Sequence, residues 1–386
     1  MIGPRICFGL WIILLVLLYI FTNSLGVIAV AVISMVMPII WLCINKAAAK
    51  CLDISYSFPE VGEKNQDISG CIMVKNTSFL PVIFMEGSFY LKNLLTQEES
   101  RQKLCFSIGP KQMIKLPVNI ISTHCGQIQI QLHELRLYDM FLLTFIKVPG
   151  SFASSITVVP KLFSPNVVLS LEAGARDGEE YAADRPGLDL SEVFSIRQYV
   201  PGDSLKSIHW RLSSKLDCLM VKEGSLPMGD SVLVLMENSI PQGHNMPSAD
   251  GCDMMAEALI SISYALSRAG IRHTIGWTDE KEEGIMQFQV ETEEDIPEVT
   301  GKLLSMVYKI SESSSLSTYL KASQEMQFSH VIYISSYIAE EVEALRECCH
   351  VTALLYSENG KDSIDEDNVI VFNENTLEDS LCNIQL

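Results

Sequence analysis

From Ile6 to Asn45 the chain carries no charged side chain, and Thr22, Asn23 and Ser24 divide this run into two apolar segments. Each approaches the ~20 residues that an α-helix needs, at about 1.5 Å per residue, to cross the hydrocarbon of a bilayer. Backbone groups in lipid find no water, so a run such as "ICFGLWIILLVLLYIF" has to be helical if it spans. The pattern predicts a transmembrane helical hairpin within residues 1–50, with helices at about 6–22 and 25–44. Pro38 can kink the second helix without ending it. Trp11, Tyr19, Phe21 and Trp41 lie toward the segment ends, where aromatic rings favour the headgroup level. The early second apolar run, and the poor small-x-small site at Thr22 to Gly26, argue against a cleaved signal peptide.

The period changes at Leu52. Short β runs follow to about Pro160, among them "DISGCIMVKN", "VIFMEGSFYL" and "GQIQIQLHELRLY". The last alternates apolar and polar positions as a half-buried strand does, with a bend expected near His133. Turn signals at Lys75-Asn76, Gly109-Pro110 and Gly126 separate the runs, so residues 51–160 are expected to form an all-β sandwich-like domain. From Ser231 the rhythm becomes strand then helix: "SVLVLME", an apolar-periodic run from Asp253 to Ala269 stopped by Gly270, then "IRHTIGW", "HVIYIS", "VTALLY" and "NVIVF". Asp253 is the expected N-cap and Gly270 the expected residue just past the helix end. Buried strands alternating with amphipathic helices predict an α/β domain over residues 231–386, with a mostly parallel sheet covered on both faces. Residues 161–230 join the two domains and include the exposed loop "GARDGEEYAADRPGLDL". The acidic stretch from Asp279 to Glu298 reads as a solvated loop or helix face.

Charge narrows the function classes. The net charge is −19, and Arg5, Lys46 and Lys50 give residues 1–50 a charge of +3, so the remaining 336 residues sum to −22. A surface that acidic repels nucleic acid and anionic lipid. The three basic residues flank the hairpin while its turn is uncharged, so the positive-inside rule predicts a two-span protein of the cell membrane with both termini cytoplasmic. The 11 cysteines are scattered, odd in number and without a C-x-x-C pair, which indicates free thiols in a reducing compartment and neither a zinc site nor a disulfide framework.

One segment departs from the acidic background. Between Ser195 and Lys222, Arg197, Lys206, Arg211, Lys215 and Lys222 outnumber Asp203 and Asp217, a local charge of +3. Pro201-Gly202 is a turn, and Asp203 or Ser204 is placed to cap a short helix ending near Trp210. The run "IRQYVPGDSLKSIHWRLSSK", with "LMVKE" after it, resembles the signature of the prokaryotic family called domain of unknown function 58. Members are described as a transmembrane pair, a β-rich region, this signature and a von Willebrand factor A-like domain, an order that covers nearly the whole chain. "HCGQIQI" and "YDMFLLT" also resemble the family's Gly-containing strand and its Asp-Pro-Phe-Gly-Leu-Phe motif, with Met140 and Leu142 in place of Pro and Gly. The resemblance implies a von Willebrand factor A-like (Rossmann-like) fold for residues 231–386. It marks Arg197, Tyr199, Gly202, Asp203, His209, Trp210, Arg211 and Lys215 as partner-binding or structural positions. Such proteins are encoded near MoxR-type AAA+ ATPases and transglutaminase-like membrane proteins, which implies a non-enzymatic adaptor or assembly role with a MoxR-type ATPase as partner.

Two rival chemistries have candidate residues in the sequence. His209 with Asp203 or Glu223 could serve as base and orienter in a hydrolase, but a nucleophile is missing. Ser213-Ser214-Lys215 lacks the S-x-x-K spacing, and no G-x-S-x-G, Walker loop or H-E-x-x-H occurs. No catalytic residue or cofactor is expected. A von Willebrand-type metal site needs D-x-S-x-S after the first strand, where this chain reads Glu237-Asn238-Ser239-Ile240-Pro241. Ser335-Ser336 supply no further Asp, leaving Glu237 and Ser239 as a degenerate remnant of a metal-dependent adhesion site. Arg197, Arg211, Lys215 and Lys222 have two readings: internal pairing with Asp203, Glu192 and Glu223, or an exposed patch for an acidic partner.

Overall fold

The structure, a computed structural model, describes residues 3–148, 152–168, 189–198, 213, 215, 219–225, 232–279, 284–322, 328–347, 349–358 and 368–385. It divides into two compact units, Met1–Pro160 and Lys161–Leu386.

In the first unit, helices α1 (Gly3–Thr22) and α2 (Leu25–Ala49) form a hairpin. Asn23 turns the chain at φ 43°, its N–H reaching the Tyr19 carbonyl at 2.8 Å. The Ser24 hydroxyl then caps α2 by accepting the Gly26 N–H at 3.3 Å. Trp11 Nε1 donates across the pair to Ser34 Oγ at 3.4 Å. Both helices are long and apolar enough to cross a membrane, and most of their side chains are exposed. An apolar surface of that extent needs a cover of lipid or protein. Helix α2 runs five residues beyond the expected Ile44, because Ala48 and Ala49 enter the core of the β domain.

That domain has strands β1 (Leu52–Ser57), β2 (Val61–Glu63), β3 (Asp67–Asn76), β4 (Val82–Asn93), β5 (Glu99–Ile108), β6 (Met113–Ile121), β7 (Gly126–Tyr138), β8 (Phe145–Val148) and β9 (Phe152–Val159). One sheet has the order β1-β3-β6; the other has β2-β9-β7-β4-β5, with β8 on the end of β7. Inward residues of both, such as Ile72 and Val118 from one and Phe89, Ile130 and Ile156 from the other, share one core, which makes the domain a β-sandwich. The bend expected in β7 falls at Glu134, at φ 50°, opposite a register shift in β4. The turn after β7 is built by the buried Asp139 carboxylate, which accepts from Leu143 N (2.8 Å), Thr144 N (3.0 Å) and Thr144 Oγ1 (2.7 Å). Leu142, where the resembled motif has Gly, sits in the left-handed region at φ 56°.

The second unit begins with β10 (Asn166–Val168), which pairs in parallel with the last strand, β21 (Asn383–Gln385). Strands β11 (Asp189–Gln198) and β12 (Met220–Ser225) form an antiparallel ribbon with two register shifts. The centre is a six-stranded sheet of β13 (Val232–Met236), β15 (His273–Thr278), β16 (Ile285–Val290), β18 (His330–Ser335), β19 (His350–Tyr356) and β20 (Val369–Phe372). Its order is β16-β15-β13-β18-β19-β20, all parallel except the edge strand β16. A short parallel pair, β14 (Ser239–Pro241) with β17 (Lys309–Ser311), lies outside that sheet. The helices are α3 (Ala249–Arg268), α4 (Ile296–Leu303), α5 (Ser315–Ala322), α6 (Glu341–Arg346) and α7 (Leu377–Leu381). Leu233, Leu235, Val331 and Tyr333 pack on α5 and α6, so the alternate residues of these strands face the other side, where α3 lies.

Two local expectations are corrected. Ser248, not Asp253, caps α3, accepting the Gly251 N–H at 3.2 Å, and Asp253 is buried inside the helix. A serine in extended backbone just ahead of Ala249 supplies the acceptor that the first-turn amides need. Gly270 does follow the helix end, at φ 75°. The acidic stretch from Asp279 to Glu298 holds the edge strand β16, whose residues are intermediate or exposed up to the buried Val290.

Candidate functional site

The six central strands, numbered in chain order, stand 3-2-1-4-5-6 across the sheet. From β13 the chain moves to β15 on one side and later to β18 on the other, so the order reverses at β13. In open α/β sheets ligands bind in the crevice beyond the strand C-termini at such a reversal. Here that place is occupied by the residues leaving β13, Glu237, Asn238 and Ser239, by Thr278 at the end of β15, by Tyr333 near the end of β18, and by Ser315 at the start of α5.

All six are buried. Glu237 Oε1 accepts the Ser315 N–H at 2.7 Å and the Ser239 N–H at 3.1 Å, and Oε2 accepts the Tyr333 hydroxyl at 2.7 Å. The first of these seats a carboxylate on the N-terminus of α5, where the helix amides favour negative charge. Asn238 spans the neighbours: its Nδ2 donates to the Thr278 carbonyl at 2.9 Å, and its Oδ1 accepts the Thr278 N–H at 2.9 Å and the Ser315 hydroxyl at 3.2 Å. Ser239 and Thr278 join hydroxyls at 2.7 Å. Tyr337 donates to the Ser239 carbonyl at 3.2 Å.

Burial pushes the Glu237 carboxyl above its ordinary range, and the donors from Ser315, Tyr333 and Ser239 oppose that push. Burial, and then the neighbouring Glu237 charge, raise the Tyr333 and Tyr337 hydroxyls. An ionised carboxylate has about four lone-pair positions, and three are filled here by protein donors. A divalent cation needs several oxygens converging on one point. The hydroxyls of Ser239, Thr278 and Ser315 instead converge on each other and on Asn238. The arrangement ties the ends of three strands to a helix. Among the described residues no three His, Cys, Asp or Glu side chains gather as a metal site.

The residues singled out in the sequence fall in two places. Glu237 and Ser239 lie in this network. Arg197 is in β11, its backbone opposite Val221, and Lys215 is exposed. Tyr199, Gly202, Asp203, His209, Trp210 and Arg211 lie outside the described residues. Sequence reasoning missed Asn238, Thr278, Ser315 and Tyr333. Their available signals were the serine run "SESSSLS" ahead of a helix and a tyrosine within the buried run "HVIYIS".

No protein-family model and no curated protein matches the chain. Among solved structures, the CARDB domain of a Pyrococcus furiosus protein in complex with di-metal ions is 20% identical, covering 28% of this chain and 87% of that one at a TM-score of 0.22. A β-glucosidase from Listeria innocua is 8% identical over 28% of this chain and 16% of that one, TM-score 0.22. The alkylpurine DNA glycosylase AlkC of Pseudomonas fluorescens is 11% identical over 34% and 39%, TM-score 0.21. Superpositions at that level do not define a shared fold.

Proposed function

We propose that this chain is a membrane-anchored, non-catalytic adaptor or assembly protein of the domain of unknown function 58 type, working with a MoxR-type AAA+ ATPase on the cytoplasmic face of the cell membrane. The observation that carries the reading is the Glu237 network. The place where a sheet of this order offers its ligand site is filled by hydrogen bonds among the protein's own groups. The 3-2-1-4-5-6 order with an antiparallel third strand supports a von Willebrand factor A-like domain, used as a scaffold. The two exposed apolar helices support membrane anchoring, and Arg5, Lys46 and Lys50 at their outer ends support cytoplasmic termini.

Crosslinking in native membranes followed by affinity recovery of the full chain tests it. The expected catch is an AAA+ ATPase, lost when Arg197→Glu and Lys215→Glu are combined while the melting temperature holds. Equal recovery from the double variant would remove these residues from the interface, and recovery of no ATPase would remove the partner.

A further inference from the structure

The loops β3–β4, β5–β6 and β7–β8 lie at one end of the sandwich, and two hydrogen-bonded ties place that end at the root of the hairpin. Thr77 donates both its N–H and its hydroxyl to the carbonyl of Cys51, two residues past α2, at 3.0 and 2.8 Å. Arg5 Nε, in the first turn of α1, donates to the carbonyl of Leu143 at 3.1 Å. Residues Leu25 to Ile44 of α2 account for about 30 Å of rise, a full hydrocarbon thickness. Cys51, Thr77 and Leu143 therefore fall at the depth of the headgroups.

The side chains at this end are of unusual composition for so acidic a chain. "TSFLP" at residues 77–81, "GPKQ" at 109–112 and "MFLLT" at 140–144 contain no Asp or Glu. Phe79 is 77% exposed, Met140 59% and Phe141 39%. Lys111 Nζ stands 3.8 Å from the centre of the Phe79 ring. Arg5, Lys46, Lys50, Lys75 and Lys111 are all exposed here. Of the nearby acids, Asp139 is buried in its own turn, and Asp53 stands opposite Lys75 in the β1–β3 register. Two loop tips also hold residues other than Gly in the left-handed region, Lys111 at φ 51° and Leu142 at φ 56°. Such strain persists where a side chain is wanted at that point.

We propose that this end of the sandwich docks on the headgroup layer of an anionic bilayer, with Phe79, Met140 and Phe141 inserted at the interface and Arg5, Lys50 and Lys111 on the phosphates. The proposal rests on the hairpin spanning that same bilayer. It identifies a local exception to the acidic character of the chain: anionic lipid is repelled by the body as a whole and accepted at this one end. Aromatic rings at the headgroup level and basic residues near an anionic surface are each favourable there.

The test uses the full-length chain in vesicles of phosphatidylcholine and phosphatidylglycerol, with a benzophenone amino acid placed singly at Leu18, Phe79, Phe141 or Thr123 and lipid adducts read by mass spectrometry. Leu18 lies within α1 and reports spanning; Thr123 is exposed at the opposite end of the sandwich. Adducts are expected at Leu18, Phe79 and Phe141 and not at Thr123. Lys111→Gln should weaken docking about fivefold, the worth of one basic residue at such a surface, and lower the Phe79 adduct. Adducts at Leu18 with none at Phe79 or Phe141 above the Thr123 level would overturn the docking and leave the hairpin reading intact. No adduct at Leu18 would overturn the hairpin reading and this proposal with it.

Discussion

At Glu237 a carboxylate, four hydroxyls and an amide are folded onto one another, and all six side chains are buried. At the hairpin end of the sandwich, Phe79, Met140 and Phe141 stand in the open beside lysines. The first region carries polar groups that are hydrogen-bonded to one another. The second presents apolar area with little local structural use for it. The two regions thus differ in kind: polar groups satisfied by one another in the first, apolar side chains exposed beside cations in the second.

The largest effect should come from opening the closed region. Glu237→Ala leaves the Tyr333 hydroxyl and the Ser239 and Ser315 amides without their acceptor, and should cost about 3–5 kcal/mol, read by urea unfolding of the full chain. Glu237→Gln keeps the shape and should cost less. If the Glu237→Ala loss instead appears only when Mg²⁺ is present, as a lost metal stabilisation of the parent protein, the network is a ligand site and the contrast fails.

The opposite, N-terminal ends of the strands in the same sheet offer a second buried polar group for comparison. His330 and His350 stack in register on adjacent strands at 4.7 Å, and His330 Nε2 lies 3.2 Å from Thr352 Oγ1. Burial, and then the charge of His350, hold His330 down to about 4 from 6.5. A histidine depressed in the folded state contributes stability that is present above the unfolded value and is lost as pH falls from about 6.5 toward 4, up to about 3 kcal/mol. Glu237, raised in the folded state, works in the opposite sense, gaining stability as pH falls. The measurement is therefore the difference between the parent and His330→Asn across that window, which should shrink toward pH 4. A constant difference would remove His330 from the acid response.

Smaller effects sharpen the open side. Leu142→Gly relieves a left-handed leucine and should stabilise by about 1 kcal/mol, seen as a raised melting temperature. Phe79→Ala should leave the unfolding free energy within about 0.5 kcal/mol, as expected of an exposed side chain away from the core. A larger loss would assign Phe79 a structural role.

The elements legible in the sequence are those whose signal is local. The hairpin showed as forty residues without charge, the bend of β7 as an interruption in alternation near His133, and the end of α3 as Gly270. The parallel pairing of residues 166–168 with 383–385 left no trace, because three-residue strands have no period and their partners are more than 200 positions apart. The Glu237 site was half legible for the same reason. Glu237 and Ser239 announced themselves against a motif, while Thr278, Ser315 and Tyr333 arrive from 41 to 96 residues away. The signature segment around His209 was the densest part of the sequence, and most of its side chains, His209 and Trp210 among them, lie outside the described residues.

Helix α2 ends inside the sandwich core, through Ala48 and Ala49, and is pinned to the β3–β4 loop through Cys51. With both spans in a bilayer, the sandwich has no swivel. It turns only as the hairpin turns, about the membrane normal, and its tilt is the tilt of the hairpin. A partner diffusing in from the water would meet the domain at one fixed inclination, so the domain's own share of the orientational search is reduced to a single angle.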